Sequence, residues 1–148
     1  MSQNAKADNS NLVLMVLDLD HFKDINDQYG HAVGDSCLAI FASRLKIKFD
    51  GGGGYAARLG GEEFGVLLQG LTLNIAMQQA EDFRALCASE PICVGDIIMP
   101  MTVSIGVAKF DPDEHSDGDG LYRAADSAVY RAKNAGRNQV SSHQPGVV

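Results

Sequence analysis

An unbroken apolar run near the start of the chain constrains the fold more than any other feature. Residues 12–17 read LVLMVL, and the run ends abruptly at two carboxylates, Asp18 and Asp20. A strand with no polar alternation is typical of the centre of a sheet, where both faces are buried. The sequence therefore predicts a sheet flanked by helices, with two acidic side chains at the end of its central strand.

A second segment, RLGGEEF at residues 58–64, lies between two shorter apolar runs. Gly60 and Gly61 predict a tight hairpin turn, because glycine adopts positive φ without strain. Two adjacent carboxylates, Glu62 and Glu63, follow the turn and repel each other. Such a pair at a hairpin tip requires an explanation beyond turn formation.

Spacing and turn residues predict the remaining elements. They are a turn at HFKDIND (21–27), a helix over 35–47 with Asp35 as its cap or lead-in, strands near 55–59 and 64–68, a helix capped by Thr72 or Asn74, a small hairpin over 92–99, a strand over 101–110 and a helix over about 121–134. The core order β-α-β-β-α-β predicts an α+β, ferredoxin-like fold with a central antiparallel sheet flanked by helices.

In that topology the first and third strands lie side by side, so the two acidic pairs meet at one edge of the sheet. A hard divalent cation between them would relieve the repulsion, and oxygen ligands suit Mg²⁺, with Mn²⁺ as the alternative ion. We expect only one of Asp18 and Asp20 to be a direct ligand. We favour Asp18, with the Leu19 carbonyl beside it and Glu62 and Glu63 opposite.

A cation held by few carboxylates is typical of phosphoryl or nucleotidyl transfer. Lys23 adds positive charge for a triphosphate, and so do Lys133 and Arg137, which lie one turn apart if the last helix continues. Asn26 and Asp35 offer an amide and a carboxylate to a purine. A carboxylate that accepts from N1–H and the exocyclic amine favours guanine.

Composition limits the function classes. The chain of 148 residues is 45% hydrophobic, which predicts one compact domain, and its net charge of -7 argues against nucleic-acid binding through a basic surface. No apolar run reaches the roughly 20 residues of a membrane span. Residues 1–11 are predicted to be a disordered leader without a secretion signal, and 143–148 a mobile tail. We expect a cytoplasmic protein whose three cysteines are buried and reduced: Cys37, Cys87 and Cys93.

Four blocks of the chain resemble the GGDEF domain of bacterial diguanylate cyclases. They occur in the family's order between about residues 12 and 140 and read LDLDHFKDINDQYGHAVGD (17–35), ARLGGEEFGVLL (57–68), TVSIGVA (102–108) and RAADSAVYRAKNAGRNQV (123–140). GGEEF is a variant of the family's motif. The resemblance assigns residues 12–142 to a GGDEF domain and implies a palm, nucleotidyl cyclase-like fold. It also implies condensation of two GTP molecules into cyclic di-GMP for bacterial second-messenger signalling.

The resemblance implies roles for individual residues. The metal ligands would be Asp18, the Leu19 carbonyl, Glu62 and Glu63, with Glu62 also the base for the 3′-hydroxyl and Lys23 stabilising charge during transfer. Substrate contacts would come from Phe22, Lys23, Asn26, His31, Asp35, Lys133 and Arg137. Catalysis would need a second GGDEF domain in a homodimer, because each domain holds one GTP. Cyclic di-GMP is expected to occupy the substrate half-site.

Two departures from the family pattern bear on activity. Family members usually carry a helix and a D-x-L-T-x-L-x-N-R segment before the first strand, where this chain has the polar residues 1–11. We therefore expect a truncated piece of a parent protein that membrane regions elsewhere could anchor. The R-x-x-D positions of a product-binding inhibitory site hold Gly51 to Gly54, so inhibition by that route is expected to be absent. The alternative function is a weak or inactive module that binds GTP or cyclic di-GMP as a regulatory domain.

Overall fold

The computed structural model describes residues 12–113 and 118–143. The predicted leader and residues 144–148 of the predicted tail lie outside that part. The described elements are β1 (Leu12–Leu19), α1 (Phe22–Tyr29), α2 (His31–Phe49), β2 (Gly54–Gly60), β3 (Glu63–Gln69), α3 (Leu73–Ser89), β4 (Ile92–Val94), β5 (Ile97–Met99), β6 (Val103–Lys109), α4 (Gly118–Asn134) and β7 (Val140–Ser142).

Five strands form one sheet in the order β2-β3-β1-β6-β7, and β4 pairs with β5 in a separate hairpin. Strand β1 is antiparallel to both of its neighbours, β3 and β6. The α+β prediction is therefore confirmed, including the adjacency of the first and third strands. The sheet is mixed rather than wholly antiparallel, because the short strand β7, which the sequence did not predict, runs parallel to β6.

The unbroken apolar run of β1 is explained by helices on both faces of the sheet. Met15 and Leu17 belong to a core that includes residues of α2 and α3, whereas Val16 packs in a second cluster with residues of α4. Successive side chains of a strand point to opposite faces. Asp18 has the parity of Val16, so it lies on the face that α4 covers.

The approach of α4 to the sheet depends on Gly106 in β6. A Cβ atom at this position would overlap the Ala125 carbonyl oxygen and the Val129 amide nitrogen of the helix. Only glycine lets two backbones come this close. The helix therefore rests directly on the sheet backbone at this point.

Two sequence expectations about local structure were wrong, and one condition was not met. The segment 21–27 is not a turn but includes the start of helix α1, which follows His21 in the left-handed region (φ 59). Helix α2 begins at His31 after Gly30 (φ 91), so Asp35 lies in its second turn and does not cap it. Helix α4 ends at Asn134, as predicted, so it does not continue to Arg137, which lies beyond it with φ 64.

Other expectations fare differently. Thr72 caps α3, because its hydroxyl accepts a hydrogen bond from the Ile75 amide (N···O 3.2 Å), as predicted. Cys37 and Cys87 are buried, whereas Cys93 is exposed because β4 belongs to a two-stranded hairpin with one open side. Among residues 12–113 and 118–143, no helix has the length and apolar content needed to cross a membrane.

Candidate active site

Strand pairing brings the two acidic segments together. Asp18 lies directly opposite Glu63 in the register of β1 and β3, and the Leu19 amide donates to the Glu62 carbonyl oxygen (N···O 3.3 Å). Since Asp18 faces α4, its cross-strand neighbour Glu63 faces the same helix. The predicted meeting of these carboxylates at one edge is therefore observed.

Asp18 has one paired and one unpaired carboxylate oxygen. Its Oδ2 lies 2.9 Å from Lys133 Nζ, whereas its Oδ1 is buried and accepts no hydrogen bond from any described residue. Burial is the main cause that raises the pKa of Asp18, while Lys133 opposes the rise and Glu62 adds to it. A buried carboxylate oxygen without a donor is unfavourable unless a cation or another donor approaches it. The donor set at Asp18 thus fits a bound cation.

Protein side chains alone do not complete a metal site. Within the described residues, no three His, Cys, Asp or Glu side chains are grouped in a way that could hold a metal ion. A cation at Asp18 would therefore rely on further oxygen ligands, such as the Leu19 carbonyl and oxygens of the substrate. Mg²⁺ commonly binds through one or two carboxylates together with phosphate oxygens.

Glu63 is held by α4. The Tyr122 hydroxyl donates to Glu63 Oε1 (O···O 2.6 Å), and the carboxyl of Asp126 is a further hydrogen-bonding neighbour. Burial raises the pKa of Glu63, Tyr122 lowers it, and Asp126 and Asp18 raise it further. Sequence reasoning missed Tyr122 and Asp126. Their i,i+4 spacing, which puts both on one side of a helix, was the signal available.

A cavity of about 230 Å³ opens at this edge of the sheet. The Asp18 and Glu62 carboxylates line it together with three cationic side chains, one from α1 and two from the end of α4 and the turn after it. Its lining contains seven of the predicted site residues, namely Asp18, Leu19, Phe22, Lys23, Glu62, Lys133 and Arg137, and also Asp20, His21 and Asp24. Acidic and basic groups thus share one small space, although Arg137 reaches it from a turn instead of a helix.

Three other predicted residues lie outside that lining. His31 and Asp35 are exposed one turn apart on α2, and Asn26 of α1 packs against Gly34. A Cβ atom at Gly34 would overlap Asn26 Oδ1 and lie 3.2 Å from the Phe22 ring. Phe22, which also lines the cavity, therefore connects the predicted base-binding group with the predicted phosphate-binding group. Glu63 lies beside the cavity and not in its lining.

Asp20 differs from Asp18 in its partners. Asp20 Oδ1 accepts from the Ser104 hydroxyl (2.6 Å), and Oδ2 accepts from the Thr102 hydroxyl (2.7 Å) and the Asn138 amide (3.0 Å). Both of its oxygens are thus occupied by protein donors. This supports the expectation that Asp18, and not Asp20, is the direct ligand.

A larger groove of about 620 Å³ lies between α2 and α3. Its lining is mainly apolar, with Ile40, Ile47 and Leu86 beside charged side chains at its margins. None of the predicted site residues lines it. Volume alone therefore does not identify the functional site of this domain.

Comparison with known proteins places the chain in a family. A family model described as "Diguanylate cyclase, GGDEF domain" matches residues 1–139. The diguanylate cyclase DgcP of Pseudomonas aeruginosa is 41% identical over 133 residues, which cover 90% of this chain and 19% of DgcP. Diguanylate cyclase DgcM of Escherichia coli is 42% identical over 127 residues, covering 86% of this chain and 30% of DgcM. The chain spans less than a third of the length of these two relatives.

Solved structures agree with this assignment. The GGDEF domain of YfiN from P. aeruginosa superposes with a TM-score of 0.85 at 32% identity, covering 96% of this chain and 88% of that one. The active GGEEF domain of a diguanylate cyclase from Vibrio cholerae gives 0.83 at 30% identity, with 98% and 90% covered. The GGDEF domain of DgcB from Caulobacter crescentus, solved in complex with cyclic di-GMP, gives 0.84 at 31%, with 96% and 84% covered. The chain therefore belongs to the GGDEF domain family of diguanylate cyclases.

Proposed function

We propose that this chain is a diguanylate cyclase domain that helps to condense two GTP molecules into cyclic di-GMP. In each of two steps a 3′-oxygen attacks the α-phosphorus of the other nucleotide, a P–O bond forms, and pyrophosphate leaves. The observation that carries the proposal is the single cavity in which Asp18, with its unpartnered buried oxygen, and Glu62 meet three cationic side chains. Such a combination suits an anionic substrate bound through a bridging cation.

The acidic edge would hold Mg²⁺, or Mn²⁺ in its place. Asp18, the Leu19 carbonyl and Glu62 would be its ligands, with Glu63 as a nearby carboxylate held by Tyr122. The bound ion would neutralise phosphate charge and lower the pKa of the attacking hydroxyl. Glu62 would accept the proton of the 3′-hydroxyl, a role that fits its partial exposure in the turn just before β3.

The three cationic side chains of the cavity, Lys23, Lys133 and Arg137, would together neutralise the negative charge of the triphosphate. Lys23 and Arg137 are exposed and line the cavity from opposite ends of the domain sequence. Lys133 is held by Asp18 and would exchange this carboxylate for a phosphate oxygen when substrate binds. Charge-assisted hydrogen bonds of this type orient a phosphate as well as bind it.

The guanine base would lie against α1 and α2. Asp35 would accept from N1–H and the exocyclic amine, and Asn26 would bond the base from the neighbouring helix. His31, one turn before Asp35, would contact the ribose or base edge. The position of Phe22 between Gly34 and the cavity supports a continuous path from base to phosphates.

One domain would supply only half of the reaction. Each domain would present one GTP, so two copies would face each other, and a second GGDEF domain is the proposed partner. GTP is available in the cytoplasm, where we propose that the domain works.

The experiment that tests the proposal is incubation of the purified chain with GTP and Mg²⁺, followed by chromatographic separation of nucleotides. Cyclic di-GMP from the wild type and none from Glu62→Gln would support it. Asp82→Asn, on the exposed side of α3, is the matched control and should keep full activity. No product from the wild type, even at high protein concentration and after fusion to a dimerising segment, would contradict cyclase activity.

The alternative, a binding module without turnover, has one observation in its favour. The similar GGDEF domain of DgcB is solved with cyclic di-GMP bound. In this chain the four glycines from Gly51 to Gly54 leave no arginine or aspartate at the inhibitory positions. Cyclic di-GMP would therefore bind at the substrate half-site, and Asp35→Ala should abolish its binding in a calorimetric titration. Unchanged binding would contradict this location.

A further inference from the structure

We propose that Asp20 is a positioning residue that fixes Arg137 at the edge of the cavity. The inference rests on the proposed function, in which Arg137 contacts the triphosphate. Asp20 is 4% exposed and lies just after β1, two residues beyond Asp18. Its carboxylate joins the end of β1 to the start of β6 and to the turn that carries Arg137.

The turn between α4 and β7 adopts an unfavourable backbone conformation. Arg137 and Asn138 follow each other in the left-handed region, with φ 64 and φ 48, although neither is glycine. Asparagine tolerates this region, but arginine avoids it and remains there only where neighbouring contacts enforce it. The conformation of this turn must therefore be maintained by specific contacts.

Hydrogen bonds from several elements provide those contacts. The Arg137 amide donates to the Ala132 carbonyl oxygen (3.0 Å), and the Asn138 amide donates to Asp20 Oδ2 (3.0 Å). The Asn138 side-chain oxygen accepts from Arg84 Nη1 (2.8 Å). Of the two side chains that bond Asn138, Asp20 is the buried one, and it lies two residues from the candidate metal ligand Asp18.

This arrangement gives Asp20 a role different from that of Asp18, two residues earlier in the same segment. Asp18 has an oxygen free for a cation, whereas Asp20 has both oxygens committed to hydroxyl and amide donors. One short segment thus carries the candidate metal ligand and, two residues later, the group that holds the phosphate-binding arginine in place. Loss of Asp20 would release the turn and let Arg137 move away from the cavity.

A double-mutant cycle tests this coupling. The kinetics of Asp20→Ala, Arg137→Ala and the double variant are measured with Mg²⁺ and GTP, each after a cooperative unfolding transition has been recorded. Asp20→Ala and Arg137→Ala should each raise KM for GTP by about tenfold, the size expected for one charge-assisted hydrogen bond. The double variant should be no worse than Arg137→Ala within about twofold, because residues that act through one another are not additive.

The conservative variant Asp20→Asn separates positioning from metal binding. Its amide oxygen can still accept from the Asn138 amide while its amino group donates to a hydroxyl oxygen, so it should recover most of the affinity lost in Asp20→Ala. A larger loss in Asp20→Asn that is reversed by excess Mg²⁺ would make Asp20 a metal ligand and overturn the inference. The inference would also be overturned if the increases in KM of the two single variants multiplied in the double variant. An unchanged KM in Arg137→Ala would overturn it as well.

Two further outcomes are decisive. If the wild type forms no cyclic di-GMP, the proposed function and this inference are overturned together. If the wild type is active but the increases in KM of the single variants multiply in the double variant, the inference alone is overturned. If Asp20→Ala does not fold, Thr102→Val takes its place in the cycle, because it removes a donor from the same Oδ2 atom. Its smaller rise in KM should likewise disappear in the Arg137→Ala background, and persistence there would contradict the coupling.

Discussion

Lys133 Nζ lies 2.9 Å from Asp18 Oδ2. This contact joins the lysine of α4 that we propose to bind phosphate to the carboxylate of β1 that we propose to bind a metal ion. Both side chains are largely withdrawn from water, with 30% and 14% of their surface exposed. An ammonium group in this position offers Asp18 part of the charge compensation that a divalent ion would offer. Lys133 at Oδ2 and a metal ion at Oδ1 should therefore compete for the negative charge of the same carboxylate.

This competition predicts opposite effects of Lys133→Met on two ligands. Mg²⁺ added alone should bind about two- to fivefold more tightly, because the variant has no ammonium group that already compensates the charge of Asp18 and repels the ion. Mg²⁺ with GTP should bind about tenfold more weakly, because a phosphate contact is lost. Calorimetric titrations measure both, and Lys48→Met, on the exposed side of α2, is the control. Weaker binding of Mg²⁺ alone would contradict the competition.

Glu63→Gln should stabilise the protein at neutral pH in the presence of a chelator. The pKa of Glu63 is raised mainly by burial, so the folded protein binds this proton more tightly than the unfolded chain does. Its stabilising contribution is complete below the unfolded pKa and is lost as pH rises through the folded pKa. The variant removes a like-charge neighbour of Asp18 while keeping an oxygen for Tyr122, and should gain about 0.5–1 kcal/mol at pH 7.

Urea denaturation between pH 4 and pH 8 measures this gain, which should shrink toward the acid end. Glu81→Gln is the control with the opposite sign, because the hydrogen bond from Arg84 lowers the pKa of Glu81. The contribution of Glu81 is present above its unfolded pKa and is lost as pH falls. A gain in Glu63→Gln that stays constant with pH would show that the charge is not its cause.

Gly34→Ala should impair GTP binding without unfolding the domain. Alanine normally stabilises a helix interior by roughly 0.5–1 kcal/mol relative to glycine, but here its methyl group would overlap Asn26 Oδ1. The Asn26 side chain would have to leave its place, and KM for GTP should rise by about tenfold. Ser36→Ala, exposed on the same helix, should leave KM unchanged. An unchanged KM in Gly34→Ala would argue against a role for Asn26 in binding the base.

The double variant Gly51→Arg with Gly54→Asp should not restore product inhibition. Gly51 has φ 95, and a Cβ atom at Gly54 would overlap the Phe49 carbonyl oxygen, so both side chains are incompatible with this turn. The free energy of unfolding should fall by about 2 kcal/mol or more. Gly52→Asn is the control, because asparagine tolerates its φ of 58 and meets no neighbour. Inhibition by cyclic di-GMP in a stable double variant would contradict this prediction.

The centre of the site was predictable because it depends on strand order. The apolar run of β1 and the glycine hairpin were enough to predict that Asp18 lies beside Glu62 and Glu63. A strand that is apolar on both faces must lie at the centre of the sheet, next to a strand of the hairpin. Four consecutive glycines, in contrast, did not predict the ordered turn in which Gly51 and Gly54 exchange two backbone hydrogen bonds.

The rest of the site depends on tertiary contacts that local sequence does not encode. The hydrogen bond from Tyr122 to Glu63 depends on the rotation of α4 about its axis and on its distance from the sheet. That distance follows from packing at Gly106, in another strand. The left-handed conformation of Arg137 is opposed by its own side chain and arises from partners far away in the chain. Strand β7 has only three residues and is defined by its parallel pairing with β6.

Gly106 sets the distance between helix α4 and the sheet beside the candidate active site. Helix α4 carries both Lys133 and Tyr122. The contact of Lys133 with Asp18 and that of Tyr122 with Glu63 therefore both depend on the distance between this helix and the sheet. One methyl group at Gly106 would lift the helix, and the 2.9 Å and 2.6 Å contacts would lengthen together. A glycine outside the cavity lining thereby sets how far Lys133 can reach into the cavity.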